Sequence, residues 1–416
     1  MAVVRPFKGI RPKIDLVDKV ASLPYDVMNR EEANKMAEGN EYSFLHVVRS
    51  EIDVDNSVSQ YDESVYKTAR KNLDQMIEEG ILEQDETPRL YIYRQIMDGR
   101  VQTGIVGCTS IDDYMNDIIK KHEFTRPQKE VDRINNFDHC DANTAPIFLT
   151  YRKNDELSSI INDWIKFHKP VYNFTSEDSI THIAWVIDED SINSRIREIF
   201  DGIDYLYIAD GHHRSASSVK VGLKRREANP NYTGKEEFNY FLSVIFPDED
   251  LFIMDYNRVV VDLNGLTDDE FMSKVNEKFS VEEYNGEGQY KPTQKHTFGM
   301  YIDSKWYKLS PQEGLYDEND PVDRLDVSIL QKNLLHPILG IENPRTDKRI
   351  DFVGGIRGLE ELERRVDNDM KIAFSMYPTT MEDLLSIADA GEVMPPKSTW
   401  FEPKLRSGLF VHRLRD

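Results

Sequence analysis

Residues 206–214 have the sequence Leu206-Tyr207-Ile208-Ala209-Asp210-Gly211-His212-His213-Arg214, and this stretch decides the fold around it. The apolar run at its start predicts a buried strand, and a helical pattern begins at Ser215. Between them lie an acid, a glycine, two histidines and an arginine. Polar groups of this kind are costly to bury for packing alone. The stretch therefore predicts a strand, a functional turn and a helix, in that order.

The predicted turn has the chemistry of an anion site. A turn that leads into a helix exposes backbone N–H groups at the positive end of the helix dipole. Gly211 lets the backbone approach a ligand closely, and Arg214 offers a planar fork that matches phosphate oxygens. His212 and His213 are candidates for acid–base or phosphate contacts, and Asp210 is a candidate Mg²⁺ ligand or proton acceptor. The alternative is a polar helix cap with a partly buried histidine.

A second candidate segment is the charged run from Lys121 to Arg133. In it, Glu123 is a candidate general base, and Lys121 and Arg126 are candidate phosphate contacts. Thr125 is predicted to cap the helix that follows. The alternative is a solvated charged face, because many surface helices carry such runs.

The C-terminal loop from Met394 to Lys404 is the third candidate segment. Its prolines fix the backbone and limit its entropy, and ordered loops that carry aromatic and lysine side chains often cover a ligand. Lys397 is the candidate phosphate contact in this loop. The alternative is a terminal segment that packs across the core.

Strand and helix patterns follow one another without strict alternation, which favours an α+β fold with mixed sheets over a doubly wound parallel sheet. The pair Asp98-Gly99 separates two apolar strand patterns and predicts a hairpin. At 416 residues the chain is too long for one hydrophobic core. We expect a catalytic domain, 1–250, and a second α+β domain, 251–416, whose tail covers the site.

Composition narrows the class of protein. The hydrophobic fraction of 39% and the charged fraction of 31% are ordinary for a globular chain. A net charge of −23 repels a nucleic-acid backbone, and the basic runs 220–226 and 345–349 predict solvated faces. The sequence has no apolar stretch of membrane-helix length and no signal layout. We expect a cytoplasmic enzyme without nucleic-acid or membrane partners, and homo-oligomerisation is left open.

The whole chain resembles a bacterial family, the domain-of-unknown-function 1015 family, some of whose members are labelled SpoOJ/ParA/ParB/RepB family protein. The segments that carry the resemblance are Pro24-Tyr25-Asp26-Val27, Lys121-His122-Glu123 with Thr125 and Arg126, Asp210 to Arg214, and Met394 to Lys404 with Ser407-Gly408-Leu409. Asp210 to Arg214 is also similar to the phosphate-binding motif of the ParB/sulfiredoxin superfamily. That superfamily includes CTP-binding ParB, ATP-using sulfiredoxin and free-serine kinases.

These resemblances imply a ParB/sulfiredoxin-like nucleotide-binding core with an additional domain, and ATP or another nucleotide with Mg²⁺ as cofactors. In similar kinases the Asp-Gly-His-His-Arg run contacts phosphates and the catalytic centre, so Asp210, His212, His213 and Arg214 take those roles here. The leading expectation is a nucleotide-dependent phosphotransferase that acts on a small hydroxyl metabolite such as free serine. The alternatives are a non-enzymatic ParB-like nucleotide-binding regulator and a phosphohydrolase.

Overall fold

The computed structural model describes residues 1–415. The chain folds as two compact units. Unit 1 contains Met1–Lys121, Thr125–Leu251 and the segment from Pro403 onward, and unit 2 contains His122–Phe124 and Phe252–Glu402. The predicted second domain, 251–416, is therefore not one unit. Its tail belongs to unit 1 because His412 and Arg413 pair with Asn143 and Ala142 of that unit.

The strands of both units are short to medium in length. In chain order they are β1 (Val4–Arg5), β2 (Ile10–Pro12), β3 (Leu82–Gln84), β4 (Leu90–Met97), β5 (Arg100–Ser110), β6 (Ile119–Lys120), β7 (Ala142–Asn143), β8 (Ile147–Tyr151), β9 (Tyr172–Thr175), β10 (Thr181–Ile187), β11 (Leu206–Asp210), β12 (Tyr240–Pro247), β13 (Ile253–Met254), β14 (Tyr256–Val260), β15 (Phe279–Glu283), β16 (Phe298–Ile302), β17 (Lys305–Pro311), β18 (Ile350–Gly354), β19 (Ile372–Met376), β20 (Trp400–Phe401) and β21 (His412–Arg413).

The α-helices are interspersed among these strands. In chain order they are α1 (Val17–Val20), α2 (Arg30–Ala37), α3 (Leu45–Val48), α4 (Glu63–Glu78), α5 (Ile111–Met115), α6 (Pro127–Cys140), α7 (Asp155–Phe167), α8 (Asp190–Asp201), α9 (His212–Ala228), α10 (Asp268–Asn276), α11 (Asp326–Leu330), α12 (Glu360–Asn368) and α13 (Met381–Asp389). Among the helices of residues 1–415, none combines the length and the apolar character that crossing a membrane requires.

The large sheet of unit 1 is mixed. Its strand order is β6-β11-β8-β12-β5-β4-β10-β9, with β1 beside β5. β11 pairs in parallel with β6 and antiparallel with β8, and β8 pairs in parallel with β12. The predicted hairpin is confirmed, because β4 and β5 pair across Asp98 and Gly99, which both have positive φ. The apolar side chains of β11, including Leu206 and Ile208, are fully buried in the core of this sheet.

Helix α9 packs closely against its neighbours. Its buried face consists mainly of small side chains, such as Ala216 and Ser217, which allow a close approach to α6. At Gly222, an added Cβ would lie 2.5 Å from the carbonyl oxygen of Phe238 and 2.7 Å from Cδ1 of Ile111. The position of α9, and of the turn that begins it, therefore depends on the absence of a side chain at residue 222.

Unit 2 has a sheet of its own. The strand order is β15-β17-β16-β19-β14-β18, and every adjacent pair is antiparallel. Its core includes Trp306 and Val353, with Leu362 of α12 packed on the same face. β13 and β20 form a separate two-stranded pair. Mixed strands and helices in both units agree with the predicted mixed α/β composition, whereas the ParB/sulfiredoxin-like core remains a prediction.

Two predicted helix starts are wrong. α9 begins at His212 rather than Ser215, because Gly211 takes up the left-handed backbone conformation that lets the helix start immediately. α6 is capped by Arg126, with Pro127 in its first turn, rather than by Thr125. The hydroxyl of Thr125 instead donates to the side chain of Glu130.

We predict that Gly222→Ala lowers the thermal unfolding midpoint. The new methyl group would overlap the Phe238 carbonyl oxygen, and overpacking of this kind costs about 1–3 kcal/mol. Glu227→Ala, at an exposed position of the same helix, is the matched control and should change stability by less than about 0.5 kcal/mol. Equal midpoints for Gly222→Ala and wild type in thermal and urea unfolding would contradict the close packing described for α9.

Candidate functional site

The turn between β11 and α9 consists of a single residue, Gly211. Its φ of +96° lies in the left-handed region that favours glycine. A Cβ at this position would also lie 3.1 Å from Nε of Arg214. The first helical hydrogen bond runs from the N–H of Ser215 to the Gly211 carbonyl oxygen at 2.9 Å. The N–H groups before Ser215 therefore stand at the N-terminus of a 17-residue helix, which is favourable for an anion.

Asp210 ends β11 and lies against two cations. Its Oδ2 lies 3.3 Å from Nζ of Lys404 and 3.9 Å from a terminal nitrogen of Arg214. Burial favours the neutral acid, but Lys404 and Arg214 outweigh it and hold the pKa of Asp210 well below its ordinary value. Asp210 is therefore a carboxylate at neutral pH, and it fixes an ammonium group beside the turn.

The donor set around Asp210 does not by itself suit Mg²⁺. Residues 1–415 contain no group of three or more His, Cys, Asp or Glu side chains that could hold a metal ion. The Asp210 carboxylate also faces Lys404 and Arg214, whose positive charges oppose a bound cation. Mg²⁺ is often held by one or two carboxylates together with substrate phosphates. The predicted role of Asp210 as a metal ligand stays a prediction, and no chemical step is derived from it.

The guanidinium of Arg214 lies beneath the turn. Only 2% of the residue is exposed, and one terminal nitrogen donates to the Pro146 carbonyl oxygen at 2.5 Å. Its Nε has no hydrogen-bond partner within residues 1–415. The guanidinium lies beside Gly211 and the Asp210 carboxylate, whose Oδ2 is 3.9 Å from a terminal nitrogen. Arg214 therefore supports the turn and the carboxylate from below, and its predicted contact with phosphate stays a prediction.

The two histidines have different environments. His212 is buried, and burial lowers its pKa to about 3, so the imidazole is uncharged at neutral pH. His213 is half-buried, and its Nε2 accepts a hydrogen bond from the backbone N–H of Arg126 at 2.9 Å. Since a backbone N–H can only donate, Nε2 holds a lone pair in this arrangement, and the proton of the neutral ring lies on Nδ1. The backbone of Arg126 thus fixes the orientation of the His213 ring.

The second candidate segment is only partly at the turn. The backbone of Arg126 reaches His213, while its side chain is exposed. The ammonium of Lys121 donates to the Tyr114 carbonyl oxygen at 3.1 Å and lies 2.6 Å from Oδ1 of Asp117. These contacts hold the Lys121 side chain beside α5, so its phosphate role has no support in the geometry and stays a prediction.

Two of the candidate site residues, Glu123 and Lys397, belong to unit 2. Glu123 is half-buried in the three-residue part of unit 2 that lies between β6 and α6 in the chain. Lys397 has a positive φ of 61°, and its Nζ lies 5.4 Å from the centre of the Tyr256 ring. Its carbonyl oxygen accepts from Arg258 at 3.0 Å. The roles assigned to Glu123 as base and Lys397 as phosphate contact remain predictions.

Two residues that sequence reasoning did not assign hold the site together. Lys404 reaches Asp210 across 194 positions of sequence, and no local pattern marks that pairing. Glu130 is buried and binds the side chains of Thr125 and Lys220. Its carbonyl oxygen also accepts from Oγ of Ser217 at 3.1 Å. Glu130 therefore fastens the N-terminus of α6 to α9.

The basic runs at 220–226 and 345–349 are largely paired with acids. Within the first run, Arg226 contacts Asp112, and Lys224 contacts Asp138. In the second run, the guanidinium of Arg349 contacts the carboxylates of Asp262 and Asp347. The expectation of solvated faces stays a prediction, because Arg226 and Arg349 are partly buried against these acids.

Comparison with known families identifies the chain. A family model described as "Protein of unknown function (DUF1015)" matches residues 4–328. The chain belongs to the DUF1015 family. That description does not include the SpoOJ/ParA/ParB/RepB label that the resemblance suggested. No curated protein matches this DUF1015 chain.

Several solved structures resemble the DUF1015 chain over most of their length. A conserved hypothetical protein from Pyrococcus furiosus is 15% identical, with a TM-score of 0.36 and coverage of 74% of this chain and 95% of that one. A free serine kinase in complex with AMP is 15% identical, with a TM-score of 0.37 and coverage of 75% and 91%. SbnI with a C-terminal truncation, from Staphylococcus aureus, is 10% identical, with a TM-score of 0.40 and coverage of 74% and 87%. TM-scores this low carry no argument about function.

We predict that Lys404→Met destabilises the protein in a pH-dependent way. The lowered pKa of Asp210 stabilises the folded state above the unfolded aspartate pKa of about 3.9, and this stabilisation is lost as pH falls. Loss of the charge-assisted contact should cost about 1–3 kcal/mol at neutral pH. The difference from wild type should shrink in acid, as measured by urea unfolding across pH.

The exposed Lys166 of α7 provides the control for this experiment. Lys166→Met removes the same charge without a buried partner and should have little effect at any pH. A destabilisation by Lys404→Met that stays constant from neutral to acidic pH would contradict the ionic role of Asp210.

Proposed function

We propose that this DUF1015 chain is a nucleotide-dependent phosphotransferase that acts on a small hydroxyl metabolite, with free serine as the candidate acceptor. One observation carries the proposal. An ionised carboxylate, Asp210, holds the Lys404 ammonium beside a glycine turn at the N-terminus of a 17-residue helix whose first two turns are mostly buried. This arrangement combines a cation with backbone N–H donors, which is the chemistry that binds nucleotide phosphates.

The turn supports a division of roles in phosphoryl transfer. Gly211 and the N–H groups that follow it would hold phosphate oxygens, because they stand at the N-terminus of α9. Lys404 would neutralise charge that develops on the transferring group. His213, whose Nε2 accepts from the backbone N–H of Arg126, would be the acid–base or phosphate contact of the turn. His212 is neutral and buried, so it would position the first helical turn.

In the proposed step, the acceptor hydroxyl oxygen bonds to the terminal phosphorus of the nucleotide. The bond from that phosphorus to the bridging oxygen breaks, and the nucleoside diphosphate leaves with the electron pair. The hydroxyl proton passes to a general base, for which Glu123 is the candidate that the sequence suggests. ATP is the nucleotide chosen for the test, and Mg²⁺ would enter with its phosphates.

The function is tested by product analysis with ATP, Mg²⁺ and L-serine. The proposal expects ADP and phosphoserine in equal amounts, with no phosphoserine when either substrate is left out. ATP binding without any product would support a nucleotide-binding regulator instead. Inorganic phosphate released without serine would support a phosphohydrolase.

We predict that Arg214→Lys lowers nucleotide affinity or kcat/KM by about 10- to 100-fold. Lysine has a single charged nitrogen. It cannot contact the Pro146 carbonyl oxygen and also fill the place of the planar guanidinium beside Asp210 and Gly211. Calorimetry with ATP and steady-state kinetics provide the measurement, with the melting temperature recorded for each variant.

Arg195→Lys is the matched control, because Arg195 binds Glu156 and Glu198 on an exposed face of α8. This change should leave both affinity and kcat/KM unaltered. If a normally folded Arg214→Lys protein also behaves like wild type, Arg214 has no part in shaping the site.

A further inference from the structure

The backbone that carries Lys404 is held by a buried side chain of the β4–β5 hairpin. Nε2 of Gln95, on β4, donates to the Lys404 carbonyl oxygen at 2.9 Å, across 309 positions of sequence. Gln95 is fully buried, and both residues belong to unit 1. The bond therefore fastens the C-terminal segment to the large sheet at the residue whose ammonium lies against Asp210.

A second buried amide fixes the orientation of the first. Gln102, on β5, is the cross-strand partner of Gln95, and its Nε2 donates to Oε1 of Gln95 at 2.9 Å. An amide oxygen only accepts hydrogen bonds, and an amide nitrogen only donates them. Because the oxygen of Gln95 is bound to Gln102, its nitrogen is directed to the Lys404 carbonyl oxygen. The two amides form a directed chain of hydrogen bonds that ends on Lys404.

Packing alone does not require amides at these two positions. A buried amide costs free energy unless its hydrogen bonds are made. Ile92 and Ile105 are cross-strand partners on the same two strands, and they fill the core without that cost. What Gln95 and Gln102 add, relative to such an apolar pair, is a directed hydrogen bond to the C-terminal segment.

Arg406 anchors the same segment two residues further on. It is buried, and its Nη2 donates to Oγ of Ser176 at 3.0 Å and to the carboxylate of Asp178. Its Nε donates to Nε2 of His182 at 3.2 Å. Burial favours the neutral acid at Asp178, but Arg406 and Ser176 outweigh it and hold the pKa of Asp178 below its ordinary value. The segment is therefore fixed by a backbone contact at residue 404 and by a side-chain contact at residue 406.

A fixed backbone matters for a lysine in particular. The ammonium of Lys404 lies 3.3 Å from Oδ2 of Asp210, at the end of a flexible side chain. Holding such a side chain in one conformation costs entropy. When the backbone at its base is already fixed, fewer conformations of the side chain compete with the one that reaches Asp210.

We propose that Gln95, oriented by Gln102, is a positioning residue that holds the ammonium of Lys404 at Asp210 and the glycine turn. The catalytic consequence rests on the proposed function, in which Lys404 neutralises charge on the transferring group. Gln95 touches neither the nucleotide nor the acceptor in this assignment, and it acts only through Lys404.

The positioning is tested first by a double-mutant cycle on stability, which needs no turnover. Gln95→Met removes the amide donor at similar length, and Lys404→Met removes the ammonium. In urea unfolding of the full chain at neutral pH, the two losses in free energy of unfolding should be less than additive, because each change weakens the same ion pair. The coupling should shrink as the pH falls below about 3.9, since the stabilisation from the lowered pKa of Asp210 is lost in acid.

The catalytic consequence is tested with ATP, Mg²⁺ and L-serine. Gln95→Met should lower kcat by about 3- to 10-fold, the worth of one hydrogen bond. In the Lys404→Met background, the same change should alter kcat by less than about 2-fold. Gln102→Met leaves the donor of Gln95 in place but frees its orientation, so its loss should be smaller and in the same direction. Gln75→Met, at an exposed position of α4, is the matched control and should leave every parameter unchanged.

The outcomes separate the positioning role from the proposed function. Additive losses of stability at every pH would show that the amides serve packing alone, and the assignment would be wrong. A wild-type kcat in folded Gln95→Met, or an equal loss of kcat with and without Lys404, would overturn it as well. If the cycle shows coupling but wild type forms no phosphoserine, Gln95 positions Lys404 and the proposed function fails. If Gln95→Met does not fold, Gln102→Met takes its place in both experiments.

Discussion

The ion pair between Asp210 and Lys404 is the interaction on which the described site depends. Asp210 ends a buried strand, and without nearby cations its charge would be expensive at that position. Lys404 comes from the opposite end of the sequence, and Arg214 comes from the first turn of the next helix. The carboxylate therefore connects the sheet, the helix and the C-terminal segment of unit 1 at one point. The geometry of the glycine turn follows from that connection.

A second connection fixes the helix that faces the turn. Glu130 binds Lys220 and Thr125 through its side chain and Ser217 through its carbonyl oxygen. These contacts hold α6 against α9, and they bring the first turn of α6 beside the first turn of α9. Two helix N-termini and their dipoles thus lie near one region.

Local sequence patterns predict those structural elements that depend on residues close together in the chain. The strand at Leu206, the glycine turn and the hairpin at Asp98-Gly99 each have a signal within a few positions, and the structure contains all three. Apolar periodicity predicts that α9 starts at Ser215. The helix starts at His212 because the backbone conformation of Gly211 begins it, and apolar periodicity does not detect a backbone conformation. The pairing of Asp210 with Lys404 and of Glu130 with Lys220 could not be predicted, since the partners lie 194 and 90 positions apart and leave no periodic pattern. The burial of Arg214 beneath the turn also depends on tertiary packing that its residue type does not reveal.

The return of the chain to unit 1 after Glu402 affects how the protein can be made. β21 pairs with β7 over a long separation in sequence, so this contact cannot form until the ribosome has synthesised nearly all of these residues. Closure of so long a loop is entropically costly and slows folding. During translation, most of unit 2, Phe252–Glu402, emerges after Asp210 and before Lys404. Chains that terminate before Lys404 would lack its ammonium group and leave the Asp210 carboxylate with Arg214 as its remaining cation, a loss of stability that makes them natural targets for chaperones and proteases.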